Sequence, residues 1–204
     1  MDLDEALVAA AAHGDLEGID LLLGAGADPT ARNSNALCFA AQEGHVRIVE
    51  TLIEAGADVR VQDSLPLRVA AERGHLAVVR ALAARGSEVR ARDDFAIGMA
   101  AQNGHLEVVQ WLVEHGADPA ARDNALPVVV ARHGHLEVLR YLDSVGVALD
   151  AENGGALVLA AREGHVDVVR FLLDRPMIVG LDAAVAAASR AGHRDVLRLL
   201  GERR

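Results

Sequence analysis

Residues 100–118 read Ala-Ala-Gln-Asn-Gly-His-Leu-Glu-Val-Val-Gln-Trp-Leu-Val-Glu-His-Gly-Ala-Asp, and this stretch decides the fold. Glycine ends each of its two short apolar segments, as expected where a helix stops, because glycine adopts the left-handed conformation without a Cβ clash. In the copy sixty residues earlier, Val46, Val49 and Leu52 share one face at helical spacing. The stretch therefore predicts two short helices, such as 36–43 and 46–54.

The same pattern recurs along the whole chain of 204 residues. The pair Gly-His stands at 44–45, 74–75, 104–105, 134–135 and 164–165, a spacing of 30, and again at 192–193. A second glycine series at 26, 56, 86, 116 and 146 keeps the same period. Helices of eight or nine residues are too short to be stable alone, so each unit must bury its apolar face against the next. Seven units predict a solenoid that fills the chain.

The helix-Gly-His-helix-Gly-Ala-Asp pattern resembles the ankyrin-repeat family over essentially all residues. The family period is 33 and its first helix opens with Thr-Pro-Leu-His, whereas here the period is 30 and an equivalent stretch reads Leu65-Pro66-Leu67-Arg68. Three residues are missing before the first helix, so we expect the projecting hairpin to be shortened to a tight turn. The resemblance implies an all-α, ankyrin-type α-solenoid of stacked helix-turn-helix repeats with shortened turns.

The repeats predict a single solenoid over residues 1–204. Because its two ends differ from the middle, we expect an N-terminal capping repeat at 1–31, five internal repeats at 32–181 and a C-terminal capping repeat at 182–204. Residues 1–31 hold seven acidic residues and no arginine, whereas five arginines follow from residue 190 onward. These charges fit solvated caps, with head-to-tail self-association as the alternative. We expect a monomer or weak self-association.

Composition excludes several classes of function. Thirty acidic against twenty basic residues give a net charge of −10, which argues against a nucleic-acid partner. The single cysteine, Cys38, excludes an internal disulfide and a cysteine-based zinc site. No uncharged apolar run approaches the roughly 18 residues that span a bilayer. With an acidic start in place of a basic secretory signal, we expect a cytoplasmic protein without a membrane partner.

No residue pattern points to catalysis, a metal or a cofactor. The six histidines that follow a repeat glycine, His45, His75, His105, His135, His165 and His193, would form a ladder with rungs about 10 Å apart. Zinc needs its ligand nitrogens about 2 Å away, so the rungs cannot share an ion, and we expect their rings to bond backbone. The serines form no Gly-x-Ser-x-Gly elbow, and Cys38 is expected to pack as a small apolar residue.

The aromatic residues suggest where a partner binds. Phe39 is interpreted as core, and so are Trp111, Tyr141 and Phe171, which share one position of the second helix. Phe95 follows two aspartates in a turn and is a candidate binding hot spot, the alternative being that it caps its own repeat.

The resemblance implies binding through a concave side built from first helices and turns. Residues there vary between units beside a fixed scaffold, which favours a surface tuned for a partner over unconstrained solvent exposure. The arginines among them would give local positive charge on an acidic molecule and suggest an acidic protein segment as partner. The candidate partner-binding residues are Arg32, Gln42, Gln62, Glu72, Arg73, Arg92, Phe95, Gln102, Asn103, Arg122, Arg132, His133 and Arg162.

The sequence is consistent with three hypotheses for the function. The leading hypothesis is a non-catalytic module that binds another protein through its concave face. The second is a microbial or viral effector or immunity factor that occupies a target; the absence of lysine fits it, although a GC-rich genome explains that absence more simply. The third is an unusual enzyme, which predicts a deep pocket containing a titratable group with a perturbed pKa.

Overall fold

The computed structural model describes residues 2–121, 125–175 and 179–202. Across these residues the chain forms fourteen helices and no strand. In chain order they are α1 Leu3–His13, α2 Leu16–Gly24, α3 Ala31–Glu43, α4 Val46–Glu54, α5 Val61–Glu72, α6 Leu76–Ala84, α7 Ala91–Gln102, α8 Leu106–Glu114, α9 Leu126–His133, α10 Leu136–Ser144, α11 Ala151–Glu163, α12 Val166–Leu173, α13 Leu181–Ala191 and α14 Arg194–Gly201. The helix at 46–54 has the predicted bounds, and the all-α solenoid of helix-turn-helix repeats is confirmed.

The helices follow one another in seven pairs, and neighbouring pairs for which contacts are described stack in two layers within a compact unit. Two compact units divide the chain, Met1–Ala100 with Trp111–Ala117 and Ala101–Gln110 with Asp118–Arg204. In the first unit the odd-numbered helices α1, α3 and α5 contact one another in one layer, and α2, α4 and α6 form the other layer. In the second unit α9, α11 and α13 make one layer, and α10, α12 and α14 make the other.

The core consists of the same positions in each repeat. In α3 these are Leu37, Ala40 and Ala41, and in α4 they are Val49 and Leu52, all without exposed surface. Paired alanines on the first helices have no side chain beyond Cβ, so neighbouring helices approach closely. Each short helix is thus stabilised by the apolar area that it buries against adjacent repeats.

Four histidines of the ladder, His75, His135, His165 and His193, bond backbone, as predicted. The Nε2 atom of His75 lies 3.0 Å from the carbonyl oxygen of Gln42 in the preceding repeat, and Nε2 of His135 lies 2.9 Å from that of Gln102. The rings of His165 and His193 make equivalent contacts with the preceding repeat at 2.9 Å. Burial lowers the pKa of His135, which keeps its ring neutral as a donor from Nε2 to the carbonyl.

The ladder explains why glycine precedes the next helix. Gly44 has a φ of +79°, and a Cβ placed there would lie 2.7 Å from Nδ1 of His75 in the next repeat. Two independent constraints therefore require glycine at this position: the left-handed backbone conformation, and the histidine ring that would clash with a Cβ.

The first helices open with an unusual backbone feature. Arg32, Asn33 and Ser34 in α3 all have positive φ, at +52°, +61° and +52°. The same three positions in α5 and in α7 are also left-handed, so the feature repeats with the thirty-residue period. A left-handed conformation costs about 1–2 kcal/mol for each residue other than glycine. The shortened turn is therefore achieved by a strained left-handed turn at residues 32–34, 62–64 and 92–94.

Buried serines hold this turn in place. Ser34 and Ser64, the last left-handed residues of their turns, are almost fully buried. The Oγ atom of Ser34 accepts a hydrogen bond from the backbone N–H of Asp58 at 3.0 Å, and Oγ of Ser64 accepts one from Glu88 at 2.9 Å. Each serine thus ties the start of its first helix to the loop that follows the second helix of the same repeat.

The strain in the left-handed turn predicts a stabilising substitution. Gln62 is exposed with a φ of +48°, so Gln62→Gly should raise the free energy of unfolding by about 0.5–1 kcal/mol in urea titrations, after the greater flexibility of glycine in the unfolded chain is subtracted. Gln42→Gly, in the right-handed part of α3, is the matched control and should lose about 1 kcal/mol. Equal losses at both positions would contradict the strained turn.

The glycine-histidine contact predicts a non-additive pair. Gly44→Ala should destabilise the chain by more than about 2 kcal/mol, because backbone strain and the His75 ring both oppose the new Cβ. In the His75→Ala background the same change should cost less, since the ring is gone. Gly56 has a φ of +104°, and no described atom lies within 4 Å of a Cβ placed on it, so Gly56→Ala is a control whose effect should be additive with His75→Ala in the same urea titrations.

Candidate partner-binding face

The exposed side of the first helices carries an apolar column. We define the first-helix face of the first unit as the partly exposed side chains of α3, α5 and α7. Phe39, Val69 and Met99 occupy the same repeat position on this face. In the second unit Val129 and Leu159, also partly exposed, hold that position.

The interpretation of Phe39 as core is wrong, because its side chain is 38% exposed. Leu37, Ala40 and Ala41 point into the core, and Phe39 lies on the opposite side of α3. Of the three second-helix aromatics, only Trp111 is buried; Tyr141 and Phe171 are half-buried.

The predicted binding residues are all at least partly exposed where the structure describes them. Arg32, Gln62, Arg73, Arg92, Asn103, Arg132, His133 and Arg162 are exposed, and Gln42, Glu72, Phe95 and Gln102 are half-buried. Arg122 lies outside the described residues. The face in the first unit brings Arg92 and Phe95 together, while Gln102, Asn103, Arg132, His133 and Arg162 belong to the second unit.

Ion pairs neutralise part of the predicted positive row. Nη2 of Arg32 lies 4.0 Å from the Asp2 carboxylate, and Nη2 of Arg162 lies 2.8 Å from that of Glu163. Within the described ranges, no carboxylate lies at ion-pair distance from Arg92. Arg73 and Arg92, both exposed and without a carboxylate at ion-pair distance in the described ranges, therefore carry positive charge available to a partner in the first unit.

Phe95 lies in a helix and not at a loop tip. It directly follows the left-handed turn of α7, which the sequence pattern had placed in a loop. Its half-buried ring has the guanidinium carbon of Arg68 at 5.4 Å from the centroid and that of Arg92 at 5.8 Å. Two cations from adjacent repeats thus contact one aromatic ring.

Arg68 is the residue of this site that sequence reasoning missed. Only 6% of it is exposed, and it donates from Nε to the carbonyl of Asp63 at 3.1 Å and from Nη2 to that of Gln62 at 2.7 Å. Burial, and then the charge of Arg92, lower the pKa of Arg68, and Asp63 opposes this. The sequence does contain one indication of this residue. The positions equivalent to Arg68 in other repeats hold the uncharged residues Cys38, Gly98, Val128 and Val158, so a charged side chain is unusual at this position.

Cys38 packs as predicted. It is half-buried, and burial raises the pKa of its thiol to about 11, with Arg68 opposing the rise. The thiol is therefore protonated at neutral pH and behaves as a small apolar group.

A separate cavity of about 300 Å³ lies in the second unit, lined by Asp143, Gly146, Val147, Ala148, Leu149, Asp150, Gly154, Leu157, Leu172 and Arg175. The Nη1 atom of Arg175 pairs with Asp143 at 2.8 Å, and its guanidinium stacks 4.2 Å from the Phe171 centroid. These lining residues include no serine, threonine, cysteine or histidine. In the described part of the chain, no group of three or more His, Cys, Asp or Glu side chains could hold a metal ion.

Comparison with known families agrees with the repeat geometry. The model described as ankyrin repeats (3 copies) matches four overlapping stretches, residues 6–93, 66–123, 97–181 and 128–203. The chain belongs to the ankyrin-repeat family. No curated protein matches it significantly. None of the helices that the structure describes is long and apolar enough to cross a membrane.

Arg68 should stabilise the left-handed turn of this ankyrin-repeat protein. Arg68→Gln removes two charged hydrogen bonds to the carbonyls of Gln62 and Asp63, so we expect a loss of about 2–3 kcal/mol in the free energy of unfolding. Arg80→Gln, an exposed arginine on α6, should change it by less than about 0.5 kcal/mol. Urea titration of both variants checks this, and similar values for the two would show that the hydrogen bonds of Arg68 contribute little.

Proposed function

We propose that this ankyrin-repeat chain is a non-catalytic module that binds a partner protein through its first-helix face. Ankyrin repeats are generally protein–protein interaction modules. The observation that carries the proposal is the apolar column of Phe39, Val69 and Met99 on a side of the repeats that the core does not use.

A row of partly exposed apolar side chains is stabilised when a partner buries it. Single exposed apolar residues are common on soluble proteins, but contiguous groups rimmed by polar residues mark interaction surfaces. Here the polar rim includes Gln42, Arg73 and Arg92. Aromatic and arginine side chains are also the types that dominate binding energy at protein interfaces.

The charge of the face supports an acidic partner segment. Arg92 contacts Phe95 and has no carboxylate partner within the described ranges, so its guanidinium is available for a bidentate bond with a carboxylate. The other residues proposed to contribute are those of the predicted set, including Arg122. We also propose that the module is cytoplasmic, that it is a monomer or self-associates weakly, and that its first repeat, residues 1–31, acts as a cap. In that repeat Asp15 replaces the ladder histidine and accepts a hydrogen bond from the N–H of Gly18 at 2.9 Å.

Affinity capture with matched variants tests the use of this face. Wild-type protein, Val69→Asp/Met99→Asp and Ile53→Asp/Val113→Asp are immobilised, and proteins retained from a lysate of the source organism are quantified by mass spectrometry. Each variant pair introduces two aspartates at half-buried aliphatic positions, the first on first helices and the second on second helices. We expect the first pair to reduce retention of a specific protein at least tenfold and the second pair to leave it unchanged.

Circular dichroism melts must show that both variants remain folded. A protein retained equally by all three chains, or lost only with the second-helix pair, would place binding elsewhere.

A further inference from the structure

A gap opens on the first-helix face beside Phe95. Gly98 lies three residues after Phe95 in α7, so the two share a face of the helix. A Cβ placed on Gly98 would have no neighbour within 4 Å among the described residues. The equivalent positions in other repeats carry Cys38, Arg68, Val128 and Val158, so only this described repeat leaves the space empty.

The glycine in α7 has no structural explanation within the described chain. A glycine inside a helix costs about 0.5–1 kcal/mol relative to alanine, and no neighbour of Gly98 needs the room. Its φ is not in the left-handed region, so a side chain would be accepted there. No described residue fills the space beside Gly98, so it is open to a group from another molecule.

Two guanidinium groups lie near Phe95, the neighbour of Gly98 on this face of α7. The bonds of Arg68 to backbone use Nε and Nη2; its Nη1 has no acceptor among the described residues and is not among their fully buried unpaired atoms, so it reaches solvent. The guanidinium carbon of Arg92 lies 5.8 Å from the centroid of the same Phe95 ring that Arg68 contacts. The site therefore offers two guanidinium groups, one aromatic ring and one vacant position.

The surrounding sequence is locally positive. Residues 60–94 contain seven arginines and five acidic residues, whereas the whole chain carries a net charge of −10. An anionic group is thus attracted to this segment more than to the remainder of the chain.

We propose that Arg68, Arg92, Phe95 and Gly98 form a pocket for an acidic peptide segment of a partner protein. The partner's carboxylate bonds the two guanidinium groups, and an apolar side chain two residues further on fills the gap over Gly98 against the Phe95 ring. This inference rests on the proposed function and specifies the chemistry of the segment that the first-helix face binds.

An extended peptide fits this arrangement. Side chains two residues apart in an extended chain point to the same side and are about 6.6 Å apart. Phe95 and Gly98 are separated by about 4.5 Å along α7, and the guanidinium groups lie 5.4 and 5.8 Å from the ring centroid. A leucine or similar side chain at the second position would therefore reach the gap while the carboxylate stays at the arginines.

Defined peptides test the pocket. The probes are three fluorescein-labelled nonapeptides of glycine and serine whose central residues are Asp-Ser-Leu, Asn-Ser-Leu or Asp-Ser-Gly. Fluorescence anisotropy measures their binding to wild-type protein and to Gly98→Val, Arg92→Gln and the controls Gly24→Val and Arg80→Gln. Valine is the residue at two equivalent positions of α9 and α11, and Gly24, in α2, likewise has no described neighbour within 4 Å of a Cβ.

We expect wild-type protein to bind the Asp-Ser-Leu peptide about tenfold more tightly than either other peptide. Gly98→Val and Arg92→Gln should remove that preference, while Gly24→Val and Arg80→Gln should keep it. Equal binding of the Asn-Ser-Leu peptide, an unchanged preference in Gly98→Val, or no binding of the Asp-Ser-Leu peptide up to 1 mM would overturn the pocket.

The outcomes separate this inference from the proposed function. If the peptides do not bind but a protein is retained that depends on Val69 and Met99, the first-helix face binds a partner of different chemistry. If capture fails and the peptides bind as expected, the pocket stands and the apolar column is not the binding surface.

Discussion

A period of thirty residues is the constraint on which this structure depends. With three residues fewer than the family's usual period, each repeat must enter its next first helix almost at once. The chain meets this demand with three consecutive left-handed residues, as at Arg32–Ser34, which cost conformational energy that other contacts must offset. Ser34 and Ser64 provide one such contact through hydrogen bonds from the following loop, and Arg68 provides another through two carbonyl oxygens.

The turn also determines where the candidate site lies. Because the left-handed segment ends at residue 94, Phe95 opens the right-handed part of α7 and its ring meets Arg68 from the preceding repeat. Arg92, the first left-handed residue of the turn, approaches the same ring. The left-handed turn that shortens the repeat therefore also brings Arg68, Arg92 and Phe95 together in one cationic aromatic cluster.

The fold could be predicted from the sequence because it follows from spacing. Glycine positions gave the helix ends, as at α4, and the repeated histidine gave the contact with backbone between repeats. Three consecutive left-handed residues do not follow from the sequence, since arginine, glutamine and serine do not signal that conformation, and asparagine or aspartate adopts it as a single residue. Helical spacing of an apolar residue wrongly predicts a core position for Phe39, because leucine and alanine already fill the buried face of α3.

The role of Arg68 shows why the site is harder to predict than the fold. Its side chain is buried, yet its bonds go to carbonyl oxygens of an unforeseen turn, so no pairing of charged residues in the sequence could indicate it. A guanidinium bonded to neutral carbonyls keeps its full charge without a bonded carboxylate, whereas an ion pair such as that of Arg162 with Glu163 cancels it. The same side chain can therefore stabilise the turn and hold positive charge beneath the first-helix face, and this coupling links the geometry of the short repeat to what it binds.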